Sequence, residues 1–150
     1  MLNFDSLMLR PFQPGDQEAC KALVLSGLVD HWGVLDPTKN PDLNDIARSY
    51  ARATFLVAWQ GERVVGSGAL VPRGGGSAEV VRMSVAKDLR RSGIGKLILT
   101  RLIEQARADG CRQVILETTD TWQEVIAFYL RFGFEITHYM DGDVYFRLNL

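Results

Sequence analysis

The sequence predicts a mixed α/β fold (α+β, with a mixed sheet) in a single domain spanning 1–150. Three observations predict it. Strand-like runs are joined by the hairpin signals Gln60-Gly61 and Asp141-Gly142. Residues 93–108 form one strongly amphipathic helical stretch. The elements follow one another as β-α-α-β-β-β-α-β-α-β-β, which interposes helices in a hairpin-rich sheet.

Each element has a local cause. Residues 7–12 are mostly apolar and read as a short strand closed by Pro14-Gly15. Asp16 stands where a helix N-cap belongs, and Ala19, Ala22 and Leu23 fall on the buried side of a helix ending near Leu28. Residues 30–40, with Gly33 and Pro37, read as a loop. Asn40 as a cap and Pro41 at the first helical position predict a second helix over 41–50. Strands follow at 55–59 and 63–71, and the glycine-rich turn 74–77 leads into a third at 78–86. Over 93–108, Ile94, Leu97, Ile98, Leu102 and Ala106 recur at helical spacing, with Gly110 placed as a C-terminal cap. The apolar run 113–117 predicts a strand covered on both faces. Residues 121–131 read as the last helix, ended by Gly133, and 134–139 with 144–148 as a closing hairpin.

Composition narrows the function classes. With 150 residues, 47% of them hydrophobic and 23% charged, the chain matches an ordinary soluble domain able to bury its own core. Cys20 and Cys111 stand far apart with no metal-ligand partners at motif spacing, so reduced thiols in a cytoplasmic protein are expected. The first ten residues lack a signal-peptide pattern, and no apolar run approaches the roughly 18 residues of a membrane span, so no membrane association is expected. A net charge of −1 argues against nucleic acid as a partner. Charge is uneven, however: residues 87–112 hold seven basic and three acidic side chains. Such a patch fits a small anion better than a polyanion, the alternative being a solvated helix face. His31 and His138 show no ligand spacing, and no metal is expected.

The chemistry-bearing segment is the strand through Met83-Ser84-Val85, followed by Arg90-Arg91-Ser92-Gly93-Ile94-Gly95-Lys96. A strand runs into a basic loop that opens directly into a helix. The first helical turn has backbone N–H groups without intrahelical partners and the positive end of the dipole. Glycine at 93 and 95 lets an anion approach the main chain, and Arg90, Arg91 and Lys96 add charge, so the loop reads as a phosphate cradle. It is not a P-loop, because Leu97 follows Gly95-Lys96 where Ser or Thr is required. Nor is it a dinucleotide fingerprint, because Ile98 stands at the third glycine position. Taken alone, Gly-x-Gly at a helix start is also compatible with a tight turn.

Arg-x-x-Gly-x-Gly after a strand carrying Ser84-Val85 resembles the acetyl-CoA site of the GNAT superfamily of N-acetyltransferases. Ala127-Phe128-Tyr129-Leu130-Arg131-Phe132-Gly133-Phe134 is similar to that family's later helix, and its distance from the first block is typical. The resemblance covers about 7–150, with its specific part at 79–134. It implies acetyl-CoA as co-substrate, with pyrophosphate held by main-chain groups of 91–96 and the pantetheine arm paired with Met83, Ser84 and Val85. It implies that the strands at 78–86 and 113–117 splay to admit that arm, and that Phe128 lines it. Where family members often carry Asn or Gln, seven residues before the tyrosine, this chain has Trp122. Thr118 or Thr119 is then a replacement donor, or Trp122 packs against the cofactor.

Acetyl transfer to an amine needs a neutral amine, a polarised carbonyl and a protonated leaving thiolate. Tyr129 is the candidate general acid, with a core aromatic as the alternative. Backbone amides near Val85 are candidate oxyanion donors. Glu79 is the candidate base. At about 13 Å along the strand from Met83, it would act more readily through water than by contact. Glu117 is a candidate for the substrate ammonium and Trp32 for the substrate pocket, with His31, Tyr50, Tyr139 and Tyr145 as further lining positions. The expected acceptor is a primary amine on a small molecule, attacking directly in a ternary complex. Protein N-termini or lysines, or a CoA-binding module without turnover, are the alternatives, and a homodimer is compatible with the family.

Overall fold

A computed structural model describes residues 6–36 and 38–150 of the chain. The elements are β1 (Leu7–Pro11), α1 (Gln17–Trp32), α2 (Ile46–Ser49), β2 (Thr54–Gln60), β3 (Arg63–Gly74), β4 (Ser77–Val85), α3 (Ile94–Ala108), β5 (Gln113–Thr119), α4 (Gln123–Phe132), β6 (Glu135–Met140) and β7 (Asp143–Asn149). This is the predicted order of strands and helices. The seven strands form one sheet in the order β1-β2-β3-β4-β5-β7-β6. Only β4 and β5 run parallel; every other neighbouring pair is antiparallel.

Strand alternation sends neighbouring residues to opposite faces, and each face builds its own core. Leu56, Ala58, Val80, Val114, Leu116 and Phe146 pack with α3 and with Tyr129 of α4. Phe55, Val57, Val64 and Ala69 pack with Cys20 and Val24 of α1, Ile46 of α2 and Leu43. Helix α3 sits unusually close to β3, because Gly66 and Gly68 leave room for it. A Cβ on Gly68 would lie 2.7 Å from Ile98 Cγ2 and 2.6 Å from Met83 Sδ, and one on Gly66 would lie 2.8 Å from Ile98 Cδ1.

Five expectations are corrected. Helix α1 continues to Trp32 and stops at the left-handed Gly33, so Asp30, His31 and Trp32 are helical and not loop. Pro37 of that expected loop lies outside the described residues. Ala19 and Ala22 are exposed, and the buried stripe of α1 is Cys20 and Val24. Residues 41–50 do not form one helix: a 3-10 turn at Pro41–Asn44 is followed by the four-residue α2, capped by Asp45 accepting from the Arg48 N–H. The expected caps serve elsewhere. Asp16 accepts from Arg10 at 2.7 and 2.8 Å and from the Gln13 N–H at 2.9 Å, and Asn40 accepts from Arg82. Finally, β5 is covered on one face only, by the core around Val114 and Leu116. On its other face α1 and α2 stop short, which leaves a groove.

Candidate active site

Parallel pairing of β4 with β5 is confined to Ser77↔Gln113, Ala78↔Val114 and Glu79↔Ile115. Beyond Glu79 the two strands part, so the 83–85 stretch of β4 has β3 on one side and an open edge on the other. An extended strand edge with unpaired main-chain groups is what a peptide-like arm needs for pairing.

At the end of β4 the chain passes through a 3-10 turn at Lys87–Leu89 and enters α3. Arg91 (φ 65°) and Gly93 (φ 98°) are both left-handed, and Gly93 occupies the N-cap without a side-chain cap. The N–H groups of Arg91, Gly93, Ile94, Gly95 and Lys96 find no acceptor among the described residues; the Ser92 N–H goes to Leu89 O and the Leu97 N–H to Gly93 O. Five free donors at the start of a 15-residue helix make a cradle fit for a pyrophosphate. The side chains contribute less directly. Arg90 pairs with Asp30 of α1, Arg91 with Glu124 of α4, and the Ser92 hydroxyl donates to Leu89 O. A Cβ on Gly95 would meet Phe128 Cζ and Val85 Cγ2, each at 3.6 Å, so the strand end, the cradle and α4 converge here.

Tyr129 lies one residue further along α4. Its ring is held by Phe128, Phe134 and Phe146 at centroid distances of 5.2, 5.8 and 5.7 Å. Burial pushes its phenol well above the usual range, so it stays protonated at neutral pH. The hydroxyl makes no hydrogen bond among the described residues.

The groove on the other face has a volume of about 570 Å³ and is lined by Glu79, Ile115, Glu117, His138, Tyr145 and Arg147, among others. It brings the two singled-out carboxylates together, and Tyr145 also lines it. Glu79 is paired with Arg73 at 2.7 Å and sits where β4 and β5 begin to part. Nearby Glu117, together with burial, raises the pKa of the Tyr145 hydroxyl, and the Tyr145 ring stacks on His138 at 4.3 Å. Burial, reinforced by Glu117, Asp120 and Asp141, raises the carboxyl of nearby Asp143. Trp32 and Tyr139 do not line this groove. Trp32 stands at the end of α1 against His31, whose ring stacks on Trp122 at 4.4 Å and whose Nε2 lies 3.2 Å from Thr121 Oγ1. Trp122 thus takes the N-cap position of α4, and Thr119 ends β5.

One cluster was missed in the sequence. Arg82 donates to Asp42 at 2.9 and 2.6 Å and to Asn40 at 3.1 Å, and the Tyr50 hydroxyl donates to Asp42 at 2.5 Å. Burial alone would raise the Asp42 carboxyl, but Arg82 and Tyr50 outweigh it and hold it below the usual range, while Tyr50 is pushed up to about 12 by burial and Asp42. The available signal was a charge in the middle of the apolar strand Val80-Val81-Arg82-Met83, which must find a partner when it is half-buried.

Among the described residues, no three His, Cys, Asp or Glu side chains converge as metal ligands, and no helix is long and apolar enough to cross a membrane. The profile of the acetyltransferase (GNAT) family matches residues 22–134. N-acetyltransferase 8F1 of Rattus norvegicus is 33% identical over 114 residues, which are 71% of this chain and 52% of that protein. The chain spans about half the length of that curated relative. A GNAT-family acetyltransferase from Staphylococcus aureus Mu50 superposes with a TM-score of 0.87 at 20% identity, over 95% of this chain and 98% of that one. The PaiA N-acetyltransferase of Thermoplasma acidophilum, solved with coenzyme A, superposes at 0.82 with 19% identity, over 97% and 99%. At such identities these two structures establish the fold.

Proposed function

This chain belongs to the acetyltransferase (GNAT) family, and on that premise we propose that it is an enzyme moving the acetyl group of acetyl-CoA to a primary amine of a small molecule. The observation that carries the reading is the convergence at the start of α3. There the five free N–H groups of 91–96, the open edge of 83–85 and the Phe128–Tyr129 pair meet at the parting of β4 and β5. A 15-residue helix provides the dipole for the pyrophosphate, and the strand edge provides pairing for the pantetheine.

Acetyl-CoA supplies an acetyl group activated as a thioester. Tyr129 keeps a proton at its hydroxyl for the departing sulfur, and a phenol locked among three aromatic rings is pre-oriented for that task. Main-chain N–H groups near Val85 polarise the carbonyl oxygen. Glu79 takes the proton from the acceptor ammonium through water. It is paired with Arg73, and its place at the mouth of the splay lies between groove and thioester. Glu117, which lines the groove beside Tyr145, holds the ammonium. A groove of about 570 Å³ falls in the usual size range of small-molecule sites, which favours a small amine over a folded protein. We assign the chain, as one domain, to this single task.

The test is thiol release from acetyl-CoA against polyamines, amino acids, aminoglycosides and peptides, with the products identified by mass. Acetylation of one small-amine class is the expected result. Turnover on peptides alone would move the acceptor to proteins, and tight coenzyme A binding without turnover on any amine would leave only a binding module.

A further inference from the structure

Arg82 is the one non-glycine residue inside a described strand with a positive φ, 55°. Its position coincides with a break in register. Ser67 pairs with Ser84 but Ala69 pairs with Val81, so Arg82 and Met83 together face Gly68 alone. This is a bulge, and an extra residue in one strand turns every later residue to the opposite face. Two contacts hold it. The fully buried Ser67 donates from its hydroxyl to Arg82 O at 2.8 Å. The guanidinium reaches away from the strand to Asp42 and Asn40, in the 3-10 turn and at its entry, where Tyr50 locks Asp42 from the other side.

The consequence falls on the next three residues. Residues 83–85 are anchored by β3 through Ser84↔Ser67 and Val85↔Gly66, and have no partner strand on the other edge. The direction of their free main-chain groups is therefore set by the bulge and by nothing on the β5 side. We propose that Arg82 is a positioning residue for the acyl donor, its two-pronged pair with Asp42 fixing the bulge that aims the 83–85 main chain. The inference rests on the functional reading above, in which that main chain pairs with the pantetheine arm. The pair also ties the donor strand to the turn that precedes α2. A planar guanidinium suits this duty because it spans both carboxylate oxygens and still reaches Asn40, which a lysine ammonium cannot do.

The experiment compares coenzyme A binding by calorimetry with thermal midpoint for the unaltered protein, Asp42→Asn and Tyr50→Phe, all well below their midpoints. Asp42→Asn is expected to raise the coenzyme A Kd about tenfold or more, as misdirected positioning groups do. Tyr50→Phe, which keeps the ion pair, is expected to stay within about threefold. A lowered midpoint for Asp42→Asn with an unchanged Kd would overturn the inference, because the pair would then only staple the turn to the sheet. If Asp42→Asn does not fold, Arg82→Lys carries the same comparison, with a raised Kd expected and an unchanged Kd overturning the proposal. Failure of the unaltered protein to bind coenzyme A at all would overturn the reading beneath it, and the inference with it.

Discussion

Tyr129 is a packed core aromatic whose hydroxyl also suits the proposed acid role. Phe128, Phe134 and Phe146 fix its ring, and the same burial that stabilises the core keeps its hydroxyl protonated. Its two readings in the sequence, core aromatic and acid, are therefore not exclusive. Asp16 gives the acid-side prediction. Burial would raise its carboxyl, but hydrogen bonds from Arg10 and the Gln13 N–H outweigh this and hold the pKa low. Its folded pKa lies below the unfolded value of about 3.9, so its contribution is complete above that pH and is lost as pH falls through the folded pKa. The midpoint of the unaltered protein is expected to fall below about pH 4, with Asp16→Asn less stable at pH 7 and showing a shallower acid slope. Melting curves from pH 2 to 8 check this; parallel curves would contradict it.

At the scale of elements, the contact of α3 with β3 depends on absent side chains. Gly68→Ala would place a methyl 2.7 Å from Ile98 Cγ2 and 2.6 Å from Met83 Sδ, a cost of about 1–3 kcal/mol by overpacking. A urea midpoint shift of that size is expected, and none would mean that α3 slides to make room. Gly93→Ala should cost about 1–2 kcal/mol at its left-handed φ and weaken coenzyme A binding, because the cradle N–H groups turn with it. Calorimetry beside denaturation separates the two effects. The elements most legible in the sequence were those with strong local codes: α3 through its apolar stripe, and the β6–β7 hairpin through Asp141-Gly142. The strand, loop and helix start of 83–96 were legible for the same reason, since they are contiguous. The sequence signal for α1 fades at Leu28 because 29–32 carries no strong apolar period. Local signals predict one helix over 41–50 because the demand of Arg82 on Asn40 and Asp42 comes from a strand about 40 residues away. No local signal reports such a pairing. The same holds for β5: its apolar run says strand, but only the reach of α1 and α2 decides whether both faces are covered.

Taken as a whole, the proposed function divides the work of the molecule between the two faces of the sheet. The face of α3 and α4 holds the cradle and Tyr129; the opposite face holds the groove with Glu79 and Glu117; the parting of β4 and β5 joins them. A donor bound across that parting binds only the folded chain. Acetyl-CoA at about a hundred times its Kd should therefore add roughly 2.7 kcal/mol of stability, readable as a raised melting midpoint, and an unmoved midpoint would contradict the placement. The most direct measurement is the pairing of turnover with donor affinity in Tyr129→Phe. The account predicts a kcat lowered about a hundredfold or more with the acetyl-CoA Kd essentially unchanged, since the ring still packs and only the proton is lost. Undiminished kcat in that variant would contradict it.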